Sequence, residues 1–371
     1  MRIERLKEFI AEKELDGVLI THKPNLFYFT GSAPPVLGGY LVVTADEELF
    51  LVPQLEYEEA RESSRVPVEY FKRGGAELYE RLKAFNLKKL GIEGGRTSYS
   101  SVQSLKEKAG VEEFAVVDDV IKELRMVKTP EEIEVIKRAC QIADKAMLVA
   151  IEEVREGVRE REVAAKMEYV MKMEGGAEKT AFDTIIASGW RSALPHGVAS
   201  DKRIERGELV VIDEGALFNH YHSDMTRTVV VGSPNEKQRE IYEIVLEAQK
   251  KGVEEARPGI TAKELDTIVR DVIEEYGYGD KFIHSTGHGV GLEIHEWPGV
   301  SQYDETVLKP GMVITVEPGI YLPKFGGVRI EDTIVITENG ARGSRRRRGS
   351  LFDFFFSLLK PFMWEEYPLW E

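Results

Sequence analysis

The chain has 371 residues, a formal net charge of −15 at pH 7 and one cysteine, Cys140. That length exceeds one ordinary core and predicts two domains; the acidic balance excludes nucleic acid as a general partner, and the single thiol excludes an intramolecular disulfide. No apolar run approaches the roughly eighteen residues of a membrane span, so no membrane partner is expected, and the opening MRIERLKEFIAEKELDG is a charged amphipathic helix without a secretory apolar region, which predicts a cytoplasmic protein.

Residues 1–119 alternate helix and strand, the pattern of an N-terminal α/β domain. Strands are expected at Gly17 to Thr21, in a hairpin from Tyr40 to Pro53, at Val68 to Lys72 and at Lys89 to Glu93, with helices near Ile3, Leu55, Ala76 and Ser98. Nothing in this region has a catalytic pattern. The aromatic stretch from Asn25 to Gly31 either packs the core, the favoured reading, or reaches a substrate or partner subunit. Residues 120–128 read as a linker.

Residues 129–340 form the second domain, opening on a long helix whose Ile133, Ile136, Cys140, Ala143, Met147 and Ala150 recur at spacings of three and four. On that apolar face Cys140 reads as a structural thiol. A second helix carries Val163, Met167, Val170 and Met171, and a strand then leads into a loop with His196. From Arg206 to Val231 the chain reads as a β-hairpin, with Asp213 ending one strand and Asp224 opening the next. Asp224, Thr226 and Thr228 share a face by strand alternation, so the hydroxyls are placed to support a ligating carboxylate. Carboxylates beside so much apolar surface must be paired, protonated or metal-bound if they are buried.

The same pattern recurs in KPGMVITVEPGIYLPKFGGVRIEDTIVI. Glu317 then stands opposite Asp213 in the repeat, Glu331-Asp332-Thr333 matches Asp224-Met225-Thr226, and His288 in Gly287-His288-Gly289 matches His196. The helices before each hairpin begin alike, with Thr129 and Ser233 as capping residues each followed by proline, and Thr261 with Glu264 as a further capping box. The prediction is two copies of helix, helix, hairpin about a pseudo-twofold axis, with acidic residues and a histidine converging on it. Between the hairpins, Phe282 to Glu296 carries His284, His288 and His295 among glycines. Its glycines lack the strand, helix and acidic residue of a dinucleotide loop, and neither a zincin helix nor a G-x-S-x-G elbow occurs.

Asp213, Asp224, His288 in GHG, Glu317 in EPGIY and Glu331 in VRIEDT together resemble the metal ligands of the pita-bread metallopeptidases, the family of methionine aminopeptidase, aminopeptidase P and prolidase. Up to Gly340 the chain is most similar to the archaeal Xaa-Pro dipeptidase branch. The resemblance implies an α/β N-terminal domain followed by an α+β pita-bread domain, and a homodimer. It also implies two divalent metal ions per subunit, bridged by Asp224 and Glu331, with Asp213 on one and His288 and Glu317 on the other. Ligands of this hardness suit Mn, Co, Fe or Zn, and such a centre activates water and polarises the scissile carbonyl. By the same resemblance Glu317 shuttles a proton, His196 and His295 contact the substrate and steady the tetrahedral intermediate, and the substrate is an Xaa-Pro dipeptide or short peptide. Arg329, on the strand face of Glu331, is expected to bind a substrate carboxylate or to brace the site.

Two features depart from that pattern. Trp297 to Val316 lacks the arginine that prolidases commonly carry for the free carboxylate of the substrate, which keeps open an aminopeptidase P acting on longer peptides. Residues 341–371 form an atypical tail, with four consecutive arginines and then many aromatics; it reads as an altered frame or cloning remnant, or as a segment for an acidic membrane surface. A non-catalytic binding module is the remaining alternative, disfavoured because all five ligand positions hold competent residues. His222 shares the strand face of Asp224 and is a lesser candidate for the site.

Overall fold

The structure, a computed structural model, describes residues 2–72 and 76–343. It divides into two compact units at Arg125 and Met126. In the first, strands Gly17–Ile20, Tyr40–Val43, Glu48–Pro53, Val68–Phe71, Lys89–Ile92 and Glu113–Val116 form one mixed sheet, ordered fourth, third, second, first, fifth, sixth. The sixth strand was not legible because its charged start and half-exposed pattern look like loop. Lys23–Thr30 is a helix, hidden by its aromatic, β-favouring composition. Pro24 lies in its first turn and Gly31 closes it in the left-handed region at φ 74°, where glycine is at ease. The buried Glu93 carboxylate accepts the N–H groups of Thr21 and His22 at 2.6 and 2.8 Å, at the start of that helix. Leu26, Tyr28 and Phe29 are buried, so these rings pack the core.

The segment read as a linker is largely helical. Asp118–Met126 forms a helix that buries Val120 and Ile121, an apolar pair whose periodicity is too short to stand out in the sequence.

The second unit repeats one arrangement twice. Helices Pro130–Glu153 and Glu160–Met173 precede Leu209–Glu214, which lies antiparallel between Ile185–Ser188 and Met225–Val230. Helices Glu236–Glu255 and Ala262–Glu275 precede Val313–Val316, which lies between Gly287–Gly289 and Asp332–Thr337. Gly207 and Gly311 take equivalent places before the central strands at φ 84° and 89°, a conformation that a β-carbon disfavours. Each central strand buries its apolar residues against its helix pair: Val210 and Ile212 with Ala143, Met147 and Met167, and Ile314 and Val316 with Val245, Ala248 and Val269. The buried Cys140 belongs to the apolar face of the first helix, as a structural thiol should.

The capping boxes at Thr129 and Thr261 form as read. The helix after Pro234 is capped by Asn235 rather than Ser233, because extended Asn235 accepts from the N–H of Gln238 while the Gln238 side chain returns to Asn235. The match of His196 to His288 also needs correction. His288 lies on a strand, where its N–H reaches the hydroxyl of Thr315, two residues before Glu317. Two residues before Asp213 stands Val211, and its strand partner is Ala187. Ala187 therefore holds the place of His288 in the first copy, and His196 sits in the loop beyond.

The copies join along their last strands. The N–H of Glu331 donates to the carbonyl of Thr226 at 3.1 Å, and the Thr333 hydroxyl to the carbonyl of Asp224 at 2.8 Å. Gly340–Gly343 pairs with Asp332–Thr337, so the first residues assigned to the tail, Ala341 to Gly343, belong to this sheet. The remainder of the tail, 344–371, lies outside the described residues. Among the described residues no helix is long and apolar enough to cross a membrane.

Candidate metal centre

The repeat brings the five acidic and imidazole side chains together where the two hairpins meet. One ligand atom each from Asp224, His288 and Glu331 lie within 4.8 Å of one another. His288 Nε2 is 3.4 Å from Asp224 Oδ2 and 3.3 Å from Glu317 Oε1, while its Nδ1 faces the carbonyl of Gly289 at 3.1 Å. Asp213 is linked to the group through Arg329, whose NH2 group lies 2.6 Å from Asp213 Oδ2. Glu331 is 1 % exposed, and Asp213 and Asp224 are buried with it.

Of the two threonines expected to support a carboxylate, Thr226 does so and Thr228 does not. The Thr226 hydroxyl donates to Glu331 Oε2 at 2.7 Å, and the Thr315 hydroxyl to Glu317 Oε1 at 3.3 Å. Thr228 binds the carbonyl of Arg329 at 2.9 Å, so it fixes backbone and not a ligand.

Without a cation this cluster holds too much negative charge. Burial pushes the Asp224 carboxyl up to about 7, against the opposing hydrogen bond from His288, and repulsion from Asp213 and Glu317 adds to the rise. Glu331 is driven well above the carboxylate range by burial and then by Asp224, Glu317 and Asp213. Asp213 rises too, since its burial outweighs the charge of Arg329. Glu317 goes the other way, to about 2: burial opposes its charge, but the hydrogen bond and charge of His288 prevail. Burial likewise opposes charge on His288, yet its contacts with Asp224 and Glu317 hold it well above its ordinary value. Divalent cations would remove this conflict. Asp213 Oδ1 and Glu331 Oε1 point the same way, being buried with no hydrogen-bond partner among the described residues. The residues present therefore fit a divalent metal centre.

Around the cluster lie the other expected residues. His295 is exposed, and its ring meets that of His288 edge to face at 4.2 Å between centroids. Burial of its inner side and the charge of His288 hold its imidazole below the ordinary value, against the opposing charge of Glu317; His196 is exposed. His222 bonds the carbonyl of Gly291 through its N–H and Nδ1, at 2.8 and 3.1 Å, and makes no bond to the five.

Arg329 is 4 % exposed, and protein acceptors surround it. Nε donates to the Thr226 hydroxyl at 3.1 Å, Nη1 to the Tyr321 hydroxyl at 2.8 Å and to the carbonyl of Pro195 at 3.3 Å, and Nη2 to Asp213. Each nitrogen of its fork thus donates to a protein acceptor, the arrangement expected of the bracing alternative. Sequence reasoning missed Tyr321, which also bonds His284 Nε2 at 2.8 Å. Its signal was its place at the end of EPGIY, four residues beyond Glu317.

The profile of Metallopeptidase family M24 matches residues 134–338, and that of the Creatinase/Prolidase N-terminal domain matches 2–127. An Xaa-Pro dipeptidase of Pyrococcus furiosus is 68 % identical over 92 % of this chain and 96 % of its own length. The crystal structure of the prolidase from Pyrococcus horikoshii superposes with a TM-score of 0.90 at 62 % identity, covering 92 % of this chain and 97 % of that one. An X-Pro aminopeptidase of Thermotoga maritima gives a TM-score of 0.84 at 38 % identity, over 93 % and 97 % of the two chains. With its paired hairpins, its buried acidic cluster and both domains matched, the chain belongs to metallopeptidase family M24 and has the two-domain pita-bread architecture.

Proposed function

We propose that the protein is an Xaa-Pro dipeptidase, hydrolysing the peptide bond before proline with two divalent ions held by Asp213, Asp224, His288, Glu317 and Glu331. The observation that carries this reading is the high identity to the Pyrococcus furiosus Xaa-Pro dipeptidase along nearly the whole of both chains. When bound, the ions supply an activated water and polarise the scissile carbonyl; Mn, Co, Fe and Zn all suit the donor set. Glu317 takes a proton from the water and delivers it to the leaving proline nitrogen. His196 and His295 hold the substrate and the oxygen that becomes negative in the tetrahedral intermediate. Arg329 braces Asp213. By family resemblance the working form is a homodimer.

Longer Xaa-Pro peptides are the second reading, favoured by two observations. Trp297 to Val316 contains no arginine, and Arg329 is already engaged by Asp213, Thr226 and Tyr321. The test is a metal-supplemented comparison of one Xaa-Pro dipeptide with the tripeptide extended beyond proline. A higher kcat/KM on the dipeptide supports the dipeptidase; a higher value on the tripeptide makes the protein an aminopeptidase of the Xaa-Pro class.

A further inference from the structure

Away from the acidic cluster, one carboxylate closes the loop that carries His196. Glu160 opens the helix Glu160–Met173 and is 0 % exposed. Its Oε1 accepts both the N–H and the hydroxyl of Ser188, each at 2.8 Å. Its Oε2 accepts the N–H and the hydroxyl of Ser200, at 3.1 and 2.5 Å. Ser188 ends the strand before the loop and Ser200 follows it, so one carboxylate ties the two ends together. Arg191, with Nε 3.4 Å from Glu160 Oε2, crosses the loop and donates from NH2 to the carbonyl of Val198 at 2.7 Å.

The far side of the loop is held from the strand that carries Arg329. The Ser192 hydroxyl accepts from the N–H of Gly327 at 2.8 Å and donates to the carbonyl of Gly189 at 2.6 Å. Arg329 reaches the carbonyl of Pro195, next to His196. The exposed imidazole thus rides on a loop fixed at its neck and near its tip, while a loop without such ties would sample many positions.

We propose that Glu160 is a positioning residue, which sets His196 by closing this neck. The proposal rests on the reading above that His196 contacts the substrate. In Glu160→Gln the amide group replaces one acceptor oxygen and faces a backbone N–H that cannot turn away, so one end of the loop is released while the side-chain volume is kept.

The experiment is a double-mutant cycle on the metal-loaded enzyme with an Xaa-Pro dipeptide, combining Glu160→Gln with His196→Ala. Glu160→Gln is expected to lower kcat/KM by on the order of 100-fold in the parent and by less than about threefold in the His196→Ala background. Ser200→Ala leaves Glu160 in place and secures a folded variant; its smaller loss should vanish in the same background. Equal losses in both backgrounds would mean that Glu160 only stabilises the unit, and would overturn the proposal. A His196→Ala enzyme as active as the parent would instead overturn the reading of His196 and, with it, any positioning role for Glu160.

Discussion

The guanidinium of Arg329 lies 2.6 Å from Oδ2 of Asp213, and both side chains are buried. This pair joins the second hairpin to a ligand position of the first. It supports a bracing role for Arg329. Arg329→Ala should therefore lower kcat/KM about 10- to 100-fold, equally on an Xaa-Pro dipeptide and on its proline amide. A steady-state comparison of the two substrates checks this, and a loss confined to the free acid would return Arg329 to the substrate.

Thr226 serves two partners, Glu331 Oε2 and Arg329 Nε. Thr226→Val keeps the shape of the side chain and removes the hydroxyl, leaving the Glu331 carboxylate without that donor. Metal affinity, read by calorimetric titration of the chelator-treated protein, should fall about 10-fold or more. Unchanged affinity would show that the hydroxyl does not orient Glu331.

The half-buried His284 gives the fold a pH dependence whose sign follows from its surroundings. Burial lowers its pKa, outweighing the charge of Glu317, and Nε2 meets the Tyr321 hydroxyl at 2.8 Å. A histidine kept neutral when folded binds fewer protons than its unfolded counterpart below about pH 6.5. Its stabilisation is thus complete above that pH and is lost as the pH falls, with a slope of at most about 1.4 kcal/mol per pH unit. Chemical denaturation at pH 7.5 and 5.5 should show a smaller drop for His284→Asn than for the parent protein. An equal drop would place the acid sensitivity elsewhere.

Much of this was legible because the chain states it twice. The runs Leu209 to Ile212 and Val313 to Val316, each with a glycine two residues ahead and a carboxylate directly after, mark equivalent strands, and the duplication separates Asp213 and Glu317 from ordinary turn residues. His196 was not so well placed: proximity to a glycine made it resemble His288, whereas register gives that position to Ala187. The role of Arg329 needed coordinates, since strand alternation gives its face but not which acceptors meet it there. Glu160 left no trace, because its partners Ser188 and Ser200 are brought to it only by the folded loop.

Asp224→Ala tests the ligand set through the metal and not only through activity. The parent, once treated with chelator, should gain thermal stability on addition of Mn or Co, by about 2.7 kcal/mol at a hundredfold excess over Kd. The variant should fold but lose most of that gain, together with hydrolysis. A variant stabilised as much as the parent would remove Asp224 from the centre.

The central claim is metal-dependent hydrolysis at the five-residue cluster, and its most direct measurement is a metal titration of the chelator-treated protein, followed by Xaa-Pro dipeptide hydrolysis and by elemental analysis of the bound ion. Activity should be absent at the start and reach its plateau at about two equivalents per chain. Full turnover by metal-free protein, or a plateau at one equivalent, would contradict it.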